Sequence, residues 1–147
     1  MKNYTIAVLG SHSALDVCRG AKDFGLKTLV IVQKGREKTY AKYYKTSPST
    51  RLTRSGRFEK TQIGCVDEVI ELENFKDVLK PEVQKELIKR NAIFIPHRSF
   101  EVYINDYDAI ENKFKVPMFG NRFLLKCEER SVKPNQYDLL EMAKIRY

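Results

Sequence analysis

Four short apolar runs divide the chain: Tyr4–Leu9, Lys27–Val32, Val66–Leu72 and Ala92–Ile95. The first reads as a buried strand. The last has no polar residue, as a central parallel strand would. Between the first two runs, Ser13 with Asp16 three positions on resembles a capping box. Leu15, Cys18 and Ala21 follow at helical spacing, and Gly25 suits the position just past a helix end. Strand, helix and strand in so short a span make a βαβ unit, so the two strands are expected to be parallel. Glu73 to Arg90 reads as mostly helical, with Pro81 opening a fresh helix whose apolar face is Val83, Leu87 and Ile88. The pattern predicts an α/β fold, an open doubly wound parallel sheet, as a single domain over 1–147.

Other stretches are less regular. Thr46 to Gly64 is rich in Ser, Thr, Arg and Gly with Pro48, and reads as an inserted mobile loop. Val102-Tyr103-Ile104 fits strand or helix. Val116 to Arg122 reads as a turn or hinge, followed by helices over 122–130 and 136–144.

Composition narrows the function classes. The 147 residues are 42% hydrophobic and 31% charged. That balance suits one soluble domain with a real core. No apolar stretch approaches the ~20 residues that span a bilayer, and the N-terminus shows no signal-peptide pattern. Cys18, Cys65 and Cys127 are odd in number and lack C-x-x-C spacing. This speaks against a disulfide framework or zinc site and for a cytoplasmic setting.

The net charge of +8 is local: Lys34 to Lys60 holds nine cations against Glu37 and Glu59. That indicates one anion-facing surface rather than a generally basic protein. Tyr40, Tyr43 and Tyr44 lie among Lys38, Lys42 and Lys45, a mixture found on nucleic-acid surfaces. No RNA- or DNA-binding motif accompanies it, so a basic face over a small-molecule site is the better reading.

The candidate chemistry lies at strand ends. Ligands bind at the carboxyl ends of strands in open α/β sheets. Both histidines of the chain stand there with serines beside them: His12 in Gly10-Ser11-His12-Ser13, and His97 in Pro96-His97-Arg98-Ser99. In the first, Gly10 permits a tight turn. Ser11, His12, Ser13 and the backbone N–H groups of the following helix can face one anion. The plain alternative is that Ser13 is only a cap and His12 a turn residue. In the second, Pro96 ends the strand, and His97 and Ser99 can bond a ligand's amide or hydroxyls, or His97 can be structural. Lys34-Gly35-Arg36 follows the second strand and suits a phosphate. Asp106, Asp108 and Glu111 could hold Mg²⁺, though three surface acids more often meet only water. A G-x-G-x-x-G fingerprint, a Walker lysine motif and a G-x-S-x-G elbow are all lacking. Their lack argues against dinucleotide, P-loop and α/β-hydrolase chemistry.

Taken together, four blocks resemble one family. Leu9-Gly10-Ser11-His12-Ser13-Ala14-Leu15, Lys34-Gly35-Arg36, Pro96-His97-Arg98-Ser99-Phe100 and Val116-Pro117-Met118-Phe119-Gly120-Asn121-Arg122 occur in the order found in the formate-dependent AICAR ligases of archaeal purine synthesis. These enzymes, the FAICAR synthetases, are members of the ATP-grasp superfamily. The likeness covers nearly the whole chain but only the front part of the family's length. It implies that ATP activates formate, and that the 5-amino group of AICAR then attacks to give FAICAR, ADP and phosphate. It also implies that His12 and Ser99 contact AICAR, with Ser11, Ser13, His97, Lys34 and Arg36 as further substrate-binding candidates and no catalytic residue in this chain.

By the same resemblance ATP and Mg²⁺ (or Mn²⁺) bind mainly outside the chain, on an ATP-grasp domain expected after Tyr147. The full enzyme is expected to be a homo-oligomer away from membranes. Arg98 stands where the family usually has glycine, and 46–64 looks inserted. Both leave open a stand-alone module, or a paralogue that binds another phosphoribosyl compound. An RNA-binding domain using 34–60 is the remaining alternative.

Overall fold

The computed structural model describes residues 4–52, 54–128 and 130–147. Its elements are β1 (Thr5–Leu9), α1 (Ala14–Asp23), β2 (Lys27–Gln33), β3 (Ser47–Leu52), β4 (Phe58–Ile63), β5 (Glu68–Leu72), α2 (Pro81–Lys89), β6 (Ala92–Phe94), α3 (Arg98–Ile104) and α4 (Gln136–Met142). The main sheet runs β5-β2-β1-β6, every pair parallel. Helices cover both faces, so the fold is the expected doubly wound α/β sheet.

Each face buries a different side-chain set. On one, Leu9, Leu29, Ile31, Phe75, Phe94, Phe100 and Phe114 form an aromatic-rich core. Phe94 lies 4.7 Å from Phe100 and 5.2 Å from Phe114, ring centre to ring centre, in tilted and edge-on geometry. Full burial of each ring contributes roughly 1.5–3 kcal/mol. The other face is built of smaller groups, Val8, Ala14, Cys18, Val30, Val32 and Cys65, under Tyr40. Helix α1 packs there and ends as its sequence foretells. Gly25 has a positive φ of 71°. Its N–H donates to the Lys22 carbonyl and that of Leu26 to Ala21, a Schellman closure.

Several expectations need correcting. The segment read as a mobile loop is the antiparallel hairpin β3–β4, in register from Ser47–Ile63 to Leu52–Phe58. Backbone pairing, not an apolar stripe, builds it, so hydrophobic periodicity did not announce it. The third parallel strand starts at Glu68, not Val66, which instead bridges Lys45. Glu73 to Arg90 splits into a 3₁₀ turn, Phe75–Leu79, and α2. Ile88 is 46% exposed, and the inner face of α2 carries buried Gln84, which donates to the Leu79 and Lys113 carbonyls. Val102 to Ile104 is helical. Arg122–Glu128 is a 3₁₀ helix rather than an α-helix.

Strand β6 lies at the sheet edge, not the centre. Its outer side is closed by the stretch predicted as a hinge: Phe94 N–H donates to the Pro117 carbonyl (2.7 Å) and Phe119 N–H to that of Phe94 (2.9 Å). The apolar edge strand is thereby explained, because Ala92 and Phe94 are buried and the edge at Phe94 is covered.

Asp67 ties the hairpin to the sheet. Its carboxylate accepts from Lys22 Nζ (3.0 Å), Thr28 N (2.9 Å) and Thr46 Oγ1 (2.9 Å). Burial alone would raise its pKa, but these donors outweigh it and hold the carboxyl below its usual range.

Candidate functional site

Strand β1 is the point where chain order reverses in the sheet. From it the chain steps to β2 and β5 on one side and returns to β6 on the other. Such a switch point opens a crevice beyond the carboxyl ends of the two diverging strands. Here two adjoining clefts lie at the strand ends, the larger between the turns after β1 and β2 and the smaller between the β1 turn and α3. One, about 380 Å³, is lined by Gly10, Ser11, His12, Leu15, Gly35, Arg36, Thr39 and Tyr40. The other, about 180 Å³, is lined by His12, Arg98, Ser99, Val102 and Tyr103. His12 borders both.

The turn after β1 is shaped by packing beneath it. A Cβ on Gly10 would lie 2.8 Å from Val32 Cγ1 and 2.9 Å from Tyr40 Cε2. The glycine is therefore required for close approach to the core, rather than for the tight turn expected. Ser13 begins α1 without a side-chain cap bond, contrary to the capping box inferred. Its Oγ instead lies 2.8 Å from His12 Nδ1. That contact holds an exposed imidazole with its Nε2 uncommitted among the described residues.

His97 has a different setting. It caps α3: its Nδ1 accepts from the Ser99 N–H at 3.2 Å, and its Nε2 lies 3.0 Å from the Leu9 carbonyl. A ring nitrogen that accepts carries no proton, so the proton of the neutral ring is on Nε2. The ring so joins the end of β1 to the start of α3. Burial pushes its pKa below the ordinary 6.5, against the Leu9 bond, with His12 adding a smaller push downward.

The turn after β2 separates its two cations. Gly35 turns the chain with a positive φ of 89°. Lys34 extends to Glu73 (2.8 Å) in an exposed ion pair and lines neither cleft. Arg36 faces the larger cleft. Its Nη1 donates to Tyr103 Oη (3.0 Å), and its guanidinium lies 5.6 Å from the Phe75 ring centre and 5.5 Å from that of Tyr103. The structure thus gathers Ser11, His12, Arg36 and Ser99 at the clefts. Ser13 and His97 stand behind them, and Lys34 points away. Sequence reasoning missed Tyr103, which lines the smaller cleft and touches Ser11 and Arg36. Its spacing of four from Ser99 on a helix would have shown it, had Val102 to Ile104 been read as helical.

A family model described as a protein of unknown function, DUF1246, matches residues 6–147. The chain belongs to the DUF1246 family. This DUF1246 chain is 44% identical over 133 residues to the 5-formaminoimidazole-4-carboxamide-1-(beta)-D-ribofuranosyl 5'-monophosphate synthetase of Methanopyrus kandleri, covering 90% of the chain and 31% of the relative. It is 38% identical over 145 residues to the synthetase of the same name from Methanothermobacter thermautotrophicus, covering 99% and 34%. Its fold matches the crystal structure of an IMP biosynthesis protein PurP from Thermococcus kodakaraensis with a TM-score of 0.65 and 28% identity, over 95% of this chain and 36% of that one. The chain therefore spans about a third of the length of these relatives.

Among the described residues, no group of three His, Cys, Asp or Glu side chains could hold an ion. The acids considered for Mg²⁺ are engaged elsewhere. Asp106 Oδ1 accepts from Ala109 N, Asp108 Oδ1 from Asn112 Nδ2, and Glu111 pairs with Lys126. No described helix is long and apolar enough to cross a membrane.

Proposed function

We propose that this DUF1246 chain is the nucleotide-holding domain, over 1–147, of an ATP-dependent ligase that formylates AICAR with formate to give FAICAR in IMP biosynthesis. The observation that carries this reading is the paired cleft at the switch point, where Ser11, His12 and Arg36 meet Ser99 from the opposite strand end. The names of the relatives support the same substrate class.

In this reading the larger cleft takes the ribose phosphate. Arg36 supplies charge and the start of α1 supplies N–H groups, a pairing suited to a phosphate monoester. The smaller cleft takes the imidazole carboxamide, with Ser99 as hydrogen-bonding partner and Val102 and Tyr103 as walls. His97 positions the Ser99 turn rather than touching the ligand, because its ring nitrogens are engaged with the backbone. ATP and Mg²⁺, held chiefly by an ATP-grasp partner domain, would supply the phosphoryl group that activates formate. The residues here hold the amine acceptor still, and orientation of this kind lowers the barrier of a two-substrate step. The setting we assign is cytoplasmic.

A second reading rests on Arg98, which lines the smaller cleft. A cation there suits a phosphoribosyl compound with an added acidic group. Calorimetric titration of AICAR into the chain tests the first reading. Saturable binding is expected, reduced at least tenfold in His12→Ala and in Ser99→Ala. Absence of binding by folded wild type, with binding of a carboxylated analogue instead, would move the assignment to the second.

A further inference from the structure

All four parallel strands send something to one side chain that neither the family likeness nor the sequence singled out. Tyr103 stands on α3, which follows β6. Its Oη is 3.3 Å from Ser11 Oγ, after β1, and 3.0 Å from Arg36 Nη1, after β2. Its ring stacks on Phe75, after β5, with centres 4.6 Å apart and planes 27° apart. Arg36 lies against both rings.

The direction of the Arg36 hydrogen bond follows from the groups. A guanidinium only donates, so Tyr103 oxygen accepts from Arg36. Across the 3.3 Å contact with Ser11 Oγ either hydroxyl can be the donor. Ser11 lines the larger cleft beside Arg36. Arg36 keeps four further N–H donors. The larger cleft so sets the charged donors of Arg36 beside the start of α1, which suits an anion that accepts several hydrogen bonds. Ser11 and Arg36 also hold the phenol below its ordinary pKa of 10, against a small opposing effect of burial, because both contacts favour a charged oxygen.

We propose that Tyr103 is a positioning residue that makes the larger cleft selective for a phosphate monoester, by fixing the Arg36 guanidinium. This rests on the reading of the clefts as a phosphoribosyl site, but not on the identity of the base. Tyr103→Phe is the decisive variant, because it keeps the ring on Phe75 and removes only the hydroxyl.

The test is calorimetric titration of wild type and Tyr103→Phe with two pairs of probes: AICAR and its dephosphorylated riboside, and ribose 5-phosphate and ribose. Wild type is expected to prefer the phosphorylated member of each pair. The phenylalanine variant is expected to lose about tenfold of that preference, the value of one charge-assisted hydrogen bond at ~1.4 kcal/mol, with affinity for the unphosphorylated probe retained. An unchanged preference in the variant would overturn the proposal, as would an equal loss for both members, which would mark Tyr103 as only structural. If ribose 5-phosphate binds and the variant weakens it while AICAR does not bind, the phosphate selection stands and the AICAR assignment falls. If no phosphorylated probe binds folded wild type, the selection is overturned too.

Discussion

The turns after β1 and β6 look alike in sequence and behave differently in the fold. Each follows an apolar strand and carries a histidine with a serine nearby. His97 is half-buried, with its two ring nitrogens on the Leu9 carbonyl and the Ser99 amide. His12 is exposed, steadied by Ser13 alone. One imidazole joins a strand to a helix, and the other stands at the rim of both clefts, where we propose a ligand binds. The difference arises from what surrounds each ring. His97 reaches the Leu9 carbonyl at the end of neighbouring β1 and an amide of its own helix, whereas His12 opens onto the clefts. A motif read by residue type cannot separate a histidine that holds a site together from one that works in it.

The strongest way to break this contrast is His97→Ala. It removes the α3 cap and one of the donors on the Leu9 carbonyl, which keeps the Ser11 N–H, and is expected to cost about 1–3 kcal/mol, the sum of a lost cap and a lost hydrogen bond. Urea denaturation would show it, and an unchanged midpoint would make His97 a ligand-facing residue after all. Gly10→Ala probes the packing under the other turn. Its Cβ would be forced to 2.8 Å from Val32 Cγ1. A loss of about 1–3 kcal/mol is expected from that overpacking, read from the same urea curves. By contrast His12→Ala is expected to shift stability by no more than about 0.5 kcal/mol, as for an exposed position, while weakening AICAR binding.

Acid sharpens the comparison further. Folded His97 stays neutral below the 6.5 at which the unfolded chain takes up its proton. Its contribution is therefore fully present above pH 6.5 and declines as pH falls through 6.5 towards the lowered folded value. The urea midpoint of wild type is expected to fall over that window, and that of His97→Asn to fall less. Equal slopes would remove His97 as the cause. The smallest effect belongs to Lys34→Ala. Its ion pair with Glu73 is exposed on both sides, so melting temperature and AICAR affinity are both expected to stay put. A drop in affinity would bring Lys34 back into the site.

Strands β1 and β2 were legible because burial on both faces leaves continuous apolar runs, and the end of α1 was legible in Gly25. The hairpin was not. Its residues alternate without an apolar face, and backbone bonds between Ser47 and Ile63 or Ser49 and Thr61 leave no trace in hydropathy. The edge position of β6 was hidden for a related reason, since Pro117 and Phe119 complete it from more than twenty residues away.

For the site, Ser11, His12, Arg36 and Ser99 could be named from strand ends and turn residues, because local chain chemistry places them there. What the sequence by itself determined was therefore the set of parallel strands and the loops that end them. Only the tertiary structure decided that His97 faces the backbone, that Lys34 turns to Glu73, and that Tyr103 joins Ser11 to Arg36. Those choices depend on distances across 39 to 92 residues of chain. They are set by the order in which the strands lie side by side, which no local pattern encodes.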